Sequence, residues 1–425
     1  MTTPVRAPRR RVVVTGMGAV TPLGNDAPSF WRHLVAGESG VRTIESFDPS
    51  RLTSRIGGEV RGFDPSNVLD RKEIRRNDRY TQFALVATRE AMDQAGLPDR
   101  LEGELAERTG TIIGSGLGGS GTIVDQITIN ATRGPDRLSP FFIPMAIANL
   151  GAGQTAISFG AQGPSWASVS ACATAGHAIG EATETIIRGD ADVMLAGGSE
   201  APIFEPLVGA FAAMRALSTR NDDPPGASRP FDEGRDGFVI AEGAGVLVLE
   251  ELGHARRRGA RILAEVCGYG ATADANHITL PAPGGAGAVR AARIALRKAQ
   301  MSPDAIDHVN AHATSTPEGD PAELEAFRTI FGAHAPKISI TATKGAIGHT
   351  LGAAGGIGAV AAICAMLEGC VPPTLNLVDP SPAMGPLDCT PLVARKREVG
   401  AVLVNAFGFG GQNAALVMRR WDEGS

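Results

Sequence analysis

The chain has 425 residues, 43% hydrophobic and 20% charged, a globular balance that excludes disorder and fits one large domain or two fused halves. Its net charge of −5 offers no general attraction for nucleic acid. The 54 glycines, about twice the usual share, follow no triplet period, so they mark tight turns and close packing rather than collagen. Five cysteines, at 172, 267, 364, 370 and 389, form no CxxC; that argues against a disulfide framework or zinc site and fits a reducing cytoplasm.

Taken in order, the chain begins MTTPVRAPRRR, basic but without the apolar stretch of a secretory signal, and this end is expected to fray. Arg11 to Thr15 reads as a buried strand closed by Gly16-Met17-Gly18. This glycine stretch does not supply GxGxxG, and Pro22 sits where a helix would open, so a dinucleotide site is not expected. Helical spacing runs from Asn77 to Ala95 and stops at Gly96 and Pro98. Strands are expected at Thr109 to Ile113, Val193 to Ala196 and Val246 to Leu249, with a helix after Cys172 ending at Arg188-Gly189. The pattern then restarts: a strand from Ile262 to Gly270, a helix from Ala288 to Gln300, and strands at His308 to Ala311 and Lys337 to Thr341. A helix from Leu351 to Leu367 and strands at Ala401 to Asn405 and Ala414 to Met418 complete it.

Alternating strands and helices make the fold α/β. Val14-Thr15-Gly16-Met17-Gly18-Ala19 is echoed by Val266-Cys267-Gly268-Tyr269-Gly270-Ala271, which points to two similar halves, 1–255 and 256–425. Residues 138–180 and 345–367 contain no Asp, Glu, Lys or Arg. They are too rich in Gly, Ala, Ser and Thr for membrane insertion and read as buried helices or interface segments.

The segment Ser168 to His177, SVSACATAGH, places Cys172 near a helix start, where free N–H groups and the helix dipole favour a thiolate and can hold an oxyanion. Such a thiol needs a proton carrier. His312 ends an apolar strand in NAHATSTP, and His349 lies in KGAIGHTLGAAGG, five residues after Lys344. Both sit at junctions where α/β folds collect active groups.

Together, SACATAGHAIGEA, NAHATSTPEGD, TKGAIGHTLGAAGG and NAFGFGGQNAAL resemble the β-ketoacyl-[acyl-carrier-protein] synthases, most closely the type II elongation enzymes, over Arg11 to Arg419. The resemblance implies a thiolase-like fold of two halves in five αβαβα layers, a homodimer in the cytoplasm. It also implies decarboxylative condensation of an acyl chain with malonyl carrier protein, without metal or free cofactor, since phosphopantetheine arrives on the acyl carrier protein. By the same resemblance Cys172 is the nucleophile, and His312 and His349 promote decarboxylation. Lys344 and Glu323 support the site, while Phe409 gates it and, with Cys172, contributes oxyanion N–H groups. Thr314 and Thr316 contact the phosphopantetheine arm. Carrier docking falls to Arg71, Lys72, Arg75 and Arg76, with Arg79 just after and Arg137 and Arg215 as further contacts. Ala313, Gln412 and Ala346-Ile347 depart from the family's usual residues, which bears on substrate preference.

A thiolase needs a second reactive Cys in the loop Gly408-Phe409-Gly410-Gly411, which has none. A non-catalytic chain-length subunit lacks the nucleophile that Cys172 supplies. The remaining alternative is the catalytic ketosynthase of a type II polyketide pathway, the same chemistry with another partner.

Overall fold

The computed structural model describes residues 9–423. Of the basic N-terminal segment expected to fray, residues 1–8 lie outside the described residues. Arg10 and Arg11 do not fray: Arg10 pairs with Asp192, and the Arg11 guanidinium donates twice to Glu265, at 2.8 Å each.

Ten strands carry the fold. The first five are β1 (Val12–Val20), β2 (Thr109–Gly114), β3 (Ser165–Trp166), β4 (Val193–Glu200) and β5 (Gly243–Glu251). The second five are β6 (Ala264–Ala273), β7 (His308–Asn310), β8 (Ser339–Thr341), β9 (Ala401–Gly408) and β10 (Gln412–Arg420). Their order is β8-β7-β9-β10-β6-β1-β5-β4-β2-β3, two sets of five joined where β1 meets β6 through only two residue pairs. Within each set the pairing is the same. β2 runs parallel to β3 and β4, as β7 runs parallel to β8 and β9. The β4–β5 and β5–β1 contacts are antiparallel, as are β9–β10 and β10–β6.

Helices complete the repeat: α1 (Arg71–Arg76), α2 (Arg79–Gln94), α3 (Leu150–Phe159) and α4 (Thr174–Arg188) precede β4, while α5 (Ala286–Ala299), α6 (Gly319–Phe331) and α7 (Ala354–Glu368) precede β9. Side chains alternate across a strand, so each sheet faces two cores. Met194 and Ala196 of β4, Leu247 and Leu249 of β5, and Leu416 and Met418 of β10 join Ile179 of α4 and Ile357 of α7 in one central cluster. Their neighbours face outward. Val193, Leu195 and Val248 pack on Leu85 and Met92 of α2, and Leu403, Ala415 and Val417 pack on Leu296 of α5 and Phe327 of α6. The result is five layers, with α4 and α7 enclosed between the sheets. Residues 351–368 are long and apolar enough to cross a membrane, but they are buried in that middle layer.

The sequence echo has a packing cause. A Cβ on Gly16 or Gly18 would lie 1.9 or 2.0 Å from the carbonyl oxygens of Ala91 and Ala87 in α2. One on Gly268 or Gly270 would lie 2.1 or 2.0 Å from those of Ala295 and Ala291 in α5. Each outer helix thus rests directly on the backbone of its strand. Gly268→Ala must lift α5 from the sheet and should cost about 1–3 kcal/mol, read as a lowered urea midpoint. Gly209→Ala, in the helix Glu205–Ala213, is the control: its Cβ meets only Leu52 Cδ2 at 3.5 Å, and a helical Ala in place of Gly should leave stability unchanged or raise it by up to about 1 kcal/mol. If both variants unfold at one midpoint, contact with the helix is not what the Gly268 position requires.

Candidate active site

The middle-layer helices begin alike. A one-turn 3₁₀ segment, Ala171–Ala173, leads into α4, and another, Leu351–Ala353, leads into α7. The first residue of each turn is held left-handed without being glycine, Ala171 at φ +49° and Leu351 at φ +45°. Such strain persists only where the surroundings impose it, and it concentrates at functional sites. Here it turns Cys172 toward a cavity of about 540 Å³ that His312, His349, Glu323, Thr314, Thr316 and Phe409 also line.

His312 follows β7, and its ring centroid lies 5.5 Å from that of His349, edge to face. Phe238 packs against His349 at 5.4 Å. The Phe407 N–H donates to Nδ1 of His312 at 3.3 Å. Nδ1 is therefore the acceptor, the neutral ring carries its proton on Nε2, and His312 is a hydrogen-bond donor through that atom. Nδ1 of His349 is buried without a protein partner. Burial, reinforced by the nearby Lys344 charge, holds both imidazoles well below their ordinary range, so both are neutral at pH 7. Lys344 itself is buried, and loss of water pushes its ammonium down to about 8 while Glu323 pulls it back up.

Glu323 shapes the turn after β7. Its carboxylate accepts from the N–H groups of His312 at 2.9 Å and Ala313 at 2.7 Å, and from Asn405 Nδ2 at 3.2 Å. Asp320, which sequence reasoning missed, does the same one step on. It accepts from the N–H groups of Thr314, Ser315 and Thr316, and on its other oxygen from Phe231. That places Thr314 and Thr316 on the cavity wall with their hydroxyls 3.2 Å apart. Asp274 was also missed: its N–H donates to the Gly411 carbonyl at 2.7 Å, and its carboxylate accepts from Asn413 at 2.8 Å. It braces the turn between β9 and β10 that presents Phe409. A Cβ at Gly408 would meet the Ser170 carbonyl at 2.5 Å, so this turn lies directly against the Cys172 segment.

One expectation is overturned. The helix start does not hold a standing thiolate: burial pushes the Cys172 thiol up to about 12, against the pull of Lys344 and of the Phe409 and Cys172 N–H groups. Desolvation wins because surrounding protein leaves the residue only 8% exposed. The resting nucleophile is a thiol.

The basic residues divide. Arg71, Lys72, Arg75 and Arg76 project from α1, none of whose residues is buried, and Arg76 stacks over Phe141 with 4.7 Å to the ring centre. Arg137 is exposed on a separate 3₁₀ turn, Pro135–Arg137. Of these six docking candidates only Arg215 lines the cavity mouth. Arg79, grouped with α1 in sequence, points elsewhere and makes a two-pronged pair with Glu242 at 2.8 and 3.0 Å. No group of three or more His, Cys, Asp or Glu able to hold a metal occurs among the described residues.

Residues 9–255 match the profile described as Beta-ketoacyl synthase, N-terminal domain, and residues 263–378 match Beta-ketoacyl synthase, C-terminal domain. The chain is 47% identical over 414 residues to 3-oxoacyl-[acyl-carrier-protein] synthase 2 of Synechocystis sp., covering 97% of this chain and 99% of the relative. It is 46% identical to the protein of the same name from Coxiella burnetii, over 97% and 99%. Among solved structures, a β-ketoacyl synthase from Burkholderia phymatum superposes with a TM-score of 0.89 at 36% identity, covering 97% of this chain and all of that one. A type II polyketide ketosynthase in complex with its acyl-carrier protein does so with 0.89 at 34%, over 97% of this chain and all of that one.

The charges set a pH profile. Groups whose acidity is raised by burial stay neutral on acidification, so turnover should stay flat as pH falls from 7.5 to about 6, where an ordinary exposed His with a pKa of about 6.5 would be gaining its proton. Lys344 loses its charge as pH rises through about 8. Turnover should therefore decline there, and Lys344→Met should show a lower rate without that alkaline limb. An acid limb centred near 6.5 would contradict the assignment of neutral, buried imidazoles.

Proposed function

The chain belongs to the β-ketoacyl synthase family, and we propose how its buried cluster carries out the family's condensation. It is a 3-oxoacyl-[acyl-carrier-protein] synthase of type II, an acyltransferase that joins an acyl chain to malonyl carrier protein with loss of CO2 in fatty-acid elongation. Relatives at 46–47% identity bear the synthase 2 name, whereas the polyketide ketosynthase stands at 34%, so the polyketide alternative has less support.

Cys172 is the nucleophile in this reading. Its Sγ attacks the acyl thioester carbonyl, the developing oxyanion takes hydrogen bonds from the N–H groups of Cys172 and Phe409, and the carrier thiol leaves. The thiol proton must depart during attack and end on the carrier sulfur; His312, whose Nδ1 already accepts from the Phe407 N–H, cannot carry it, whereas His349 has a ring nitrogen without a protein partner. Malonyl carrier protein then loses CO2, leaving an enolate whose oxygen is held by the Nε2–H of His312 and a ring N–H of His349. The enolate carbon attacks the acyl-Cys172 carbonyl, the C–S bond breaks, 3-oxoacyl carrier protein departs, and the released Cys172 thiolate takes up one proton from solvent to restore the resting thiol. Glu323 and Lys344 fix the loop and the local charge, Thr314 and Thr316 meet the phosphopantetheine arm, and Phe409 gates the cavity. No free cofactor enters these steps. The observation that carries the reading is the convergence of one thiol and two imidazoles on a single, largely apolar cavity, with the buried Lys344 ammonium close enough to act on all three.

The reading extends to assembly. β3 forms the open end of the sheet with Ser165 and Trp166 exposed, and Ile143, Ile147, Ile157 and Val169 are exposed apolar side chains on the same uncharged stretch. A second copy of the chain covering this edge would make a homodimer. A cytoplasmic location fits five free cysteines.

Incubation with acyl carrier protein followed by intact-protein mass spectrometry should show one acyl group on Cys172 and none on Cys172→Ala. His312→Ala and His349→Ala should be acylated yet fail to release CO2 from malonyl carrier protein; a variant that cannot be acylated identifies its His as the base for the thiol. Retained condensation in Cys172→Ala would remove the mechanism.

Docking gives a further expectation. Reversing Arg75 and Arg76 to Glu should raise KM for acyl carrier protein while sparing short pantetheine thioesters, which bypass the surface. Wild-type KM should climb with salt, because such steering is screened beyond about 10 Å at 0.1 M ionic strength. Equal loss on both substrate types would signal damage to the fold instead.

A further inference from the structure

A second buried carboxylate lies behind the nucleophile. Glu200 closes β4 with a side chain wholly buried, yet it reaches the wall of the same cavity. One oxygen accepts from the Ser115 hydroxyl at 2.6 Å and the Leu117 N–H at 3.1 Å. The other accepts from the Gly116 N–H at 2.8 Å and the Gly352 N–H at 2.9 Å. The Ser115 hydroxyl in turn accepts from the Gly118 N–H at 2.8 Å. One carboxylate therefore joins the turn after β2 to the turn that opens α7, segments more than two hundred residues apart in the chain.

Those two turns are the flanks of the apolar space beside Cys172. Leu117 and Leu351 belong, with Cys172 and Phe238, to one hydrophobic cluster. Leu351 is the residue held left-handed, and the Gly352 N–H that Glu200 captures is the next amide along. The fit is close on both sides: a Cβ on Gly116 or Gly352 would lie 2.9 or 2.5 Å from the carboxylate oxygen. We propose that Glu200 is a positioning residue that sets the separation of the Leu117 and Leu351 walls, and through it the acyl lengths that Cys172 accepts. This inference rests on the function proposed above.

The chemistry of the donors makes the carboxylate hard to replace. Each oxygen faces a backbone N–H that cannot turn away. A glutamine amide offers only one acceptor oxygen, so in either orientation its NH2 is set against at least one backbone N–H. The Ser115 hydroxyl can rotate to accommodate it, but Leu117, Gly116 and Gly352 cannot. Nor does Glu200 help the nucleophile ionise, since its charge raises the Cys172 thiol further. Its geometric role is what accounts for a charge in that place.

The test is acylation and condensation across a ladder of saturated acyl carrier proteins, from acetyl to palmitoyl, for wild type, Glu200→Gln and Ser115→Ala. Glu200→Gln should lose roughly tenfold or more in kcat/KM on myristoyl and palmitoyl substrates and less than about threefold on acetyl, the scale on which sub-ångström misplacement acts. Ser115→Ala, which removes one donor and leaves three, should shift the same ratio in the same direction by less. If Glu200→Gln does not fold, the ratio in Ser115→Ala decides alone. Uniform loss along the ladder, or none, overturns the positioning role while leaving the function intact. A wild type that is not acylated on Cys172 overturns the proposed function and this inference with it.

Discussion

Everything in the site depends on how closely α4 and α7 approach in the middle layer. A Cβ on Gly355 of α7 would lie 2.6 Å from the Gly176 amide nitrogen of α4. Helices that meet backbone to backbone leave no room for side chains between them, so their starts are brought to one point. Cys172 stands at the head of one and His349 two residues before the head of the other. The loops after β7 and between β9 and β10 then close over that point from the second sheet. Small residues in the centre are thus the condition for reactive ones at its end.

Enclosure also decides the electrostatics. Three carboxylates, Glu200, Asp320 and Glu323, lie buried near the cavity, and each is met chiefly by backbone N–H groups rather than by cations. That arrangement satisfies the charge while leaving Lys344 as the cation acting on the thiol and both imidazoles. Desolvation and this ammonium act in the same direction on the imidazoles and in opposite directions on Cys172. The cluster therefore rests with a protonated thiol and neutral rings, a state suited to passing one proton when a thioester arrives and to donating two hydrogen bonds when an enolate forms.

Much of this was legible in the residues because it is local. The paired glycines of β1 and β6 are visible as an echo, since each strand needs the same two positions bare against its helix. Cys172, His312 and His349 were singled out by their junctions, and the fold brings all three to one cavity. Asp320, Asp274 and Glu200 were not legible: an acidic residue reads as surface until the amides that satisfy it, up to 152 positions away for Glu200 and Gly352, are brought to it. The Arg79–Glu242 pair was not legible for the same reason, its two members lying 163 residues apart. The expected thiolate failed differently. A helix start is readable from sequence, but the burial that outweighs its dipole is a property of the closed cavity.

The duplication explains why the two halves divide the chemistry. Each supplies an outer helix on bare glycines, a middle helix opened by a strained 3₁₀ turn, and the same pattern of strand pairing. The equivalent of Ala171-Cys172 at the head of α4 is Leu351-Gly352 at the head of α7. In the first half the position after the left-handed residue carries the thiol. In the second it is glycine, whose amide goes to Glu200 and whose missing side chain admits that carboxylate. One backbone device thus presents a nucleophile in one half and anchors a wall of its cavity in the other.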